Sequence, residues 1–176
     1  ILIDREFKGS NPDAANPNAP VRRILRLASN KTLLGVGDKG FLNQISIQIN
    51  AQQNIIIRNI RFTMTDVPVD RSGSEVKIMG TTSDPDIISI AADLSTVPAA
   101  ARIARNIWID HCEFFNEDPA VMMDGDRYDG LLDIKNDVQF VTISWCYFHD
   151  HHKGCLSGSG SSDNYDRKTT MHHNLF

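Results

Sequence analysis

The sequence predicts an all-β fold, a right-handed single-stranded parallel β-helix, on three observations. Period-2 segments rich in branched apolar residues follow one another, convincing amphipathic helices are missing, and four of the segments share one nine-residue frame. In chain order, LASNKTLLGVG at 27–37 and ISIQIN at 45–50 open the series, and NIIIRNIRF at 54–62 sets the frame. NIWIDHCEF at 106–114, FVTISWCYF at 140–148 and KTTMHHNLF at 168–176 lie over it, and each ends on Phe. Ile60, Cys112, Cys146 and Asn174 then occupy one position, and Asn59, His111, Trp145 and His173 another. The successive spacings of 52, 34 and 28 residues are too uneven for a propeller but natural for coils whose strands stay fixed while their loops vary. Only TVPAAARIA at 96–104 looks locally helical.

A second frame places Asp129-Gly130-Leu131-Leu132-Asp133 over Lys153-Gly154-Cys155-Leu156-Ser157, offset by 24. The competing fold, a β-sandwich, calls for hairpins with two-residue NG or DG turns between matched strands. The DG pairs Asp124-Gly125 and Asp129-Gly130 do not sit between such strands.

The 176 residues are enough for one sizeable core and read as a single domain over 1–176, with no Gly/Ser-rich or Pro-rich linker dividing it. The net charge of −4 is spread along the chain, which favours neither a nucleic acid nor an anionic membrane as partner. No run approaches the roughly 18 apolar residues of a membrane span, and the opening ILIDREFKGS lacks the features of a signal peptide. Cys112, Cys146 and Cys155 fit no CxxC spacing. Stacked at roughly 4.8 Å, Cys112 and Cys146 are expected either to bridge or to pack as apolar side chains.

The acids carry the chemistry. Asp129 and Asp133 in extended chain stand about 13 Å apart at ~3.3 Å per residue, too far to share one cation, so the chain is expected to bend at Gly130, where glycine accepts unusual backbone angles. Carboxylate oxygens suit a hard cation, calcium above all. A third acid is expected from the preceding coil: SDPDIISI at 83–90 brings Asp86 level with Gly130, and Asp84, two residues earlier, to the rim of the cluster. Lys153 stands one coil beyond Asp129, placed either to neutralise the cluster or to grip an acidic ligand together with the metal.

WIDH at 108–111, DGLLDIK at 129–135, VTIS at 141–144, HHKGCLSG at 151–158 and HHN at 172–174 resemble, in order, signature segments of the extracellular pectate lyases, the calcium-dependent polysaccharide lyases built on a parallel β-helix. NKTLLGVG and NIIIRNIRF resemble earlier coils of that family. The resemblance implies β-elimination on (1→4)-α-D-galacturonan (polygalacturonate, or pectate), leaving 4,5-unsaturated ends. It implies calcium held by Asp86, Asp129 and Asp133, and Lys153 on a substrate carboxylate. The three aspartates point to pectate over its methyl ester. The family's proton-abstracting base is an arginine in an R-x-P-x-x-R segment after the HHN-x-F strand. This chain reaches only Phe176, so it is expected to be a fragment incomplete at both ends, its base lying beyond Phe176 or supplied by a second chain or swapped partner. Its signal for secretion is likewise expected outside these residues. A non-catalytic, calcium-assisted binder of acidic polysaccharide is the alternative, and a purely structural solenoid a third.

Other readings are weaker. The histidines at 149, 151, 152, 172 and 173 do not converge as zinc ligands by spacing alone. Asp110 and His111, adjacent on a strand, are expected to face opposite ways and to serve as ladder residues rather than as parts of a triad. SGSGSSDN at 157–164 lacks the lysine and helix of a phosphate loop.

Overall fold

The computed structural model describes residues 1–9, 24–74, 76–78, 84–95, 98, 102–120 and 128–176. Its strands build three parallel sheets, and the chain visits them in a fixed rotation, which is a parallel β-helix. The first sheet stacks Leu2–Ile3, Lys31–Gly35, Gln53–Arg58, Ala104–Asp110, Val138–Ser144 and Lys168–His172. The second stacks Glu6–Lys8, Phe41–Asn43, Arg61–Thr63, Glu113–Phe115 and Tyr147–His149, and the third Ile24–Arg26, Ser46–Asn50, Ile88–Ala91, Leu132–Lys135 and Cys155–Ser157. One antiparallel pair, Val69–Asp70 with Lys77–Ile78, hangs from the loop between Thr63 and Ile88.

The nine-residue frame is the register of the first sheet: Ile55 pairs with Ile107, Ile107 with Val141, and Val141 with Thr169. Alternation sends Ile55, Ile57, Ile107, Ile109, Val141 and Ile143 inward, where all are buried. The terminal phenylalanines form a ladder, Phe62 on Phe114 at 5.0 Å, Phe114 on Phe148 at 4.8 Å and Phe148 on Phe176 at 5.1 Å between ring centroids. Such pairs add about 0.5–1.5 kcal/mol beyond the area they bury.

Between the first and second sheets four of the coils turn on two residues, at 59–60, 111–112, 145–146 and 173–174, whereas the chain takes five residues, 36–40, from Gly35 to Phe41. The first of the two, Asn59, His111, Trp145 or His173, has φ of 58°, 50°, 53° or 55°. This left-handed conformation is uncommon for a tryptophan, and it recurs because it redirects a strand within one residue. Behind it Cys112 and Cys146 are buried free thiols, whereas Cys155 is an exposed one. Of the segment expected to be helical at 96–104, most lies outside the described residues, and Ala104 opens a strand. The Asp124-Gly125 pair also lies outside them.

The second frame is corrected by one residue. Leu132 pairs with Cys155 and Asp133 with Leu156, an offset of 23 rather than 24. A slip of one exchanges the faces of a strand, so Lys153 does not stand directly over Asp129.

Candidate functional site

Where the chain enters the third-sheet strands at Ile88, Leu132 and Cys155, polar residues stand just ahead of the first pairing residue. Ile88 pairs with Leu132, which sets Asp86 level with Gly130. The Gly130 N–H donates to Asp86 Oδ1 at 2.8 Å, and Ser46 Oγ donates to the Asp86 carbonyl. Carboxylate oxygens of Asp84, Asp86 and Asp129 all lie within 4.8 Å of one another. Asp133 does not join that trio; its carboxylate folds back over Gly130, and its Oδ1 is buried without a hydrogen-bond partner. Gly130 keeps an ordinary φ, since it is absent from the left-handed residues. The glycine is therefore needed for the space its missing Cβ leaves to Asp133, not for the backbone bend expected from the sequence.

The residue that sequence reasoning missed is Lys135. Two positions after Asp133 in the same strand, it points to the same face, and its ammonium lies 2.9 Å from Asp133 Oδ2, 3.3 Å from Asp86 Oδ2 and 3.9 Å from Asp84 Oδ2. That i, i+2 spacing was the available signal. Lys77, from the antiparallel pair, meets Asp84 Oδ1 at 2.5 Å, and Lys153 meets Asp129 Oδ1 at 3.4 Å on the rim. Four carboxylates thus meet three ammonium groups, and of these Asp84, Asp129, Lys135 and Lys153 line a groove of about 480 Å³ together with Ser74, Val76 and Leu156.

Burial sets the electrostatics. Asp86 and Asp133 are each 1% exposed. Burial, with the neighbouring Asp133 charge, pushes the Asp86 carboxyl up to about 7 against the pull of Lys135. Burial also raises Asp133, with Lys135 opposing it. Burial works against the Lys135 charge, yet the Asp86 and Asp133 carboxylates outweigh it and hold that ammonium above its usual range. Asp84, Asp86 and Asp129 are the residues here that could hold a hard cation.

The other candidates resolve differently. His111 sits at a left-handed corner, which breaks strand alternation, so it turns back and meets Asp110 Oδ2 at 2.7 Å, contrary to the expectation that the two diverge. Arg58 Nε also meets Asp110 Oδ2, at 2.9 Å, and Ser144 Oγ donates to Oδ1 at 2.7 Å. The serine hydroxyl is held by the carboxylate rather than by the imidazole, so the trio is not arranged as a nucleophilic triad. Among the described residues no three histidines converge on one point. His149 bridges Glu113 and Asp150, and burial lowers the His151 pKa while its Nε2 faces the Asp129 carbonyl. In the 157–164 loop, Asp163 accepts the Asn136 N–H and pairs with Arg167, a structural brace.

A family model described as pectate lyase matches residues 9–176. The chain is 38% identical over 148 residues to a pectate trisaccharide-lyase of Bacillus licheniformis, covering 84% of this chain and 35% of that protein. It is 32% identical over 182 residues to pectate lyase E of Dickeya chrysanthemi, covering 97% of this chain and 44% of that one. It therefore spans less than half the length of these relatives. Among solved structures, a pectate lyase from Bacillus sp. N165 in complex with trigalacturonate superposes with a TM-score of 0.69 at 26% identity, covering 99% of this chain and 46% of that one.

Proposed function

The chain belongs to the pectate lyase family, and we propose that it carries the metal- and substrate-holding part of a secreted, calcium-dependent enzyme that cleaves (1→4)-α-D-galacturonan by β-elimination. The observation that supports this reading is the grouping of Asp84, Asp86 and Asp129, with oxygens within 4.8 Å, beside Lys135 and Lys153 on an open groove. Oxygen ligands about 2.4 Å from a calcium ion stand no more than about 4.8 Å apart, so the trio fits one ion. Asp133 stands outside that trio, and its unpartnered Oδ1 becomes a further ligand only if its carboxylate moves toward the ion. Calcium bound there supplies positive charge at the carboxylate of a uronate.

The chain's own residues do the rest of the holding. Lys153, on the rim, pairs with a substrate carboxylate, and Lys135 balances Asp86 and Asp133 from the sheet side. In the elimination the C5 proton leaves, the C4–O4 bond breaks, a C4=C5 double bond forms, and the departing oxygen takes up a proton. Negative charge grows on a group that is already anionic, so an ammonium fixed at that carboxylate stabilises the transition state more than the ground state. The base is assigned to the arginine segment implied by the family resemblance, supplied from beyond Phe176 or by a partner chain.

The test follows the ultraviolet absorbance of unsaturated product when the full-length protein meets polygalacturonate, with and without chelator. Chelator-sensitive product supports the lyase. Calcium and oligogalacturonate binding without product identifies a binder instead. Asp133→Ala is expected to weaken calcium binding in a calorimetric titration, and an unchanged titration removes Asp133 from the site.

A further inference from the structure

The Asp129–Gly130 peptide group is clamped at both ends. Its N–H donates to Asp86 Oδ1 at 2.8 Å, and its carbonyl receives His151 Nε2 at 2.5 Å. The clamp is informative because the His151 proton is fixed by groups two coils away. Asn116 Oδ1 accepts the backbone N–H of Met64 at 2.7 Å, which commits the Asn116 amide to one orientation. Its Nδ2, a donor only, is then the atom that faces His151 Nδ1 at 3.4 Å. Nδ1 must accept, so the proton sits on Nε2 and is donated to the Asp129 carbonyl.

We infer that His151 is a positioning residue for the acidic cluster, acting through the Asp129–Gly130 peptide. A polar chain runs from Met64 through Asn116 and His151 to the Asp129 carbonyl, and it sets the plane of the peptide. That plane presents the Gly130 N–H to Asp86 and aims the Asp129 side chain at Asp84 and Asp86. Without the histidine the peptide is held only through its N–H to Asp86, and both consequences are weakened together. Partners of this kind, one step behind ligand groups, change metal affinity about 10–100-fold when removed.

The inference rests on the calcium reading above, and two variants separate its parts. In His151→Gln the amide nitrogen reaches the place of Nε2 and can still donate to the Asp129 carbonyl. In His151→Asn the shorter side chain keeps only the Asn116 side of the chain. The experiment measures calcium affinity by calorimetry and thermal stability for the full-length protein and both variants. The expected result is a 10–100-fold loss of affinity in His151→Asn and near-wild-type affinity in His151→Gln, with affinity not following stability. Equal affinity in all three overturns the positioning role and leaves the calcium reading standing. Affinity losses that track melting temperature in both variants overturn it as well, and wild-type protein that binds no calcium overturns both readings. Nitrogen chemical shifts of the His151 ring give an independent check needing no variant: an Nε2–H tautomer supports the chain, and an Nδ1–H tautomer overturns it.

Discussion

Gly130 and Asp133 share one volume: Asp133 Oδ1 lies 2.0 Å from the point where a Cβ on Gly130 would stand. Any side chain at 130 therefore displaces the carboxylate from the position in which Lys135 holds it. Gly130→Ala is expected to cost about 1–3 kcal/mol, the usual range for forced overpacking, and to weaken calcium binding at the same time. Chemical denaturation and calorimetry check the two effects together; a destabilised variant that binds calcium normally would show that the Asp133 position is irrelevant to the ion.

Lys135 is the internal counter-charge of Asp86 and Asp133. Removing one partner of a buried ion pair costs about 3–5 kcal/mol. Lys135→Met should show a loss of that order in chelator and a clearly smaller one in saturating calcium, because the ion replaces the missing positive charge. Equal losses in the two conditions contradict a shared site.

The pH dependence of the metal-free protein follows from Asp86. Its carboxyl titrates at about 7 in the fold, against roughly 3.9 in an unfolded chain. Between those values the folded state holds a proton that the unfolded chain has released. Raising the pH through that window therefore lowers the Asp86 contribution to stability by at most about 1.4 kcal/mol per pH unit; the raised Asp133 adds to the fall, and His151, lowered by burial, opposes it. Lys135 stays charged throughout and adds no slope. Melting temperatures in chelator should fall from about pH 4 to pH 7, and Asp86→Asn should make that fall shallower. A wild-type curve that rises across the window refutes the raised carboxyl.

Phe114 is stacked on both faces, by Phe62 and Phe148, and is fully buried. Phe114→Ala is expected to cost about 3–5 kcal/mol, and Phe114→Leu distinctly less. Urea unfolding midpoints measure both; a Phe114→Ala loss below about 1 kcal/mol would mean that the ladder closes over the gap.

The repeat was legible because burial repeats it. Ile57, Ile109 and Ile143 meet the same inward environment in successive coils, so the residue types recur at one position. Asp86 was placed level with Gly130 by the same logic, and the structure puts it there. The Lys153 row slipped by one residue because the chain at 150–158 has few inward apolar residues to fix its phase, and Leu156 and Cys155 are both exposed. Lys135 went unread although its i, i+2 relation to Asp133 was there to see, because its other partners lie 49 and 51 residues back, and His151 because its partners lie 22 and 35 residues away. The meeting of Asp110 with His111 was hidden for another reason: strand alternation fails at a left-handed corner, and nothing about a histidine announces one.

The two-residue corner recurs at 59–60, 111–112, 145–146 and 173–174, while the path from the second sheet to the third runs from Thr63 to Ile88 in one coil and from His149 to Cys155 in another. The long connection from Thr63 to Ile88 lies on the flank that leads to the third sheet, while these four corners stay at two residues. That flank leads to the positions just ahead of the third-sheet strands, where Asp86, Asp129 and Lys153 stand. A change of length in the 64–87 segment, which supplies Ser74 and Val76 to the groove, would recompose that wall while leaving the four two-residue corners in place.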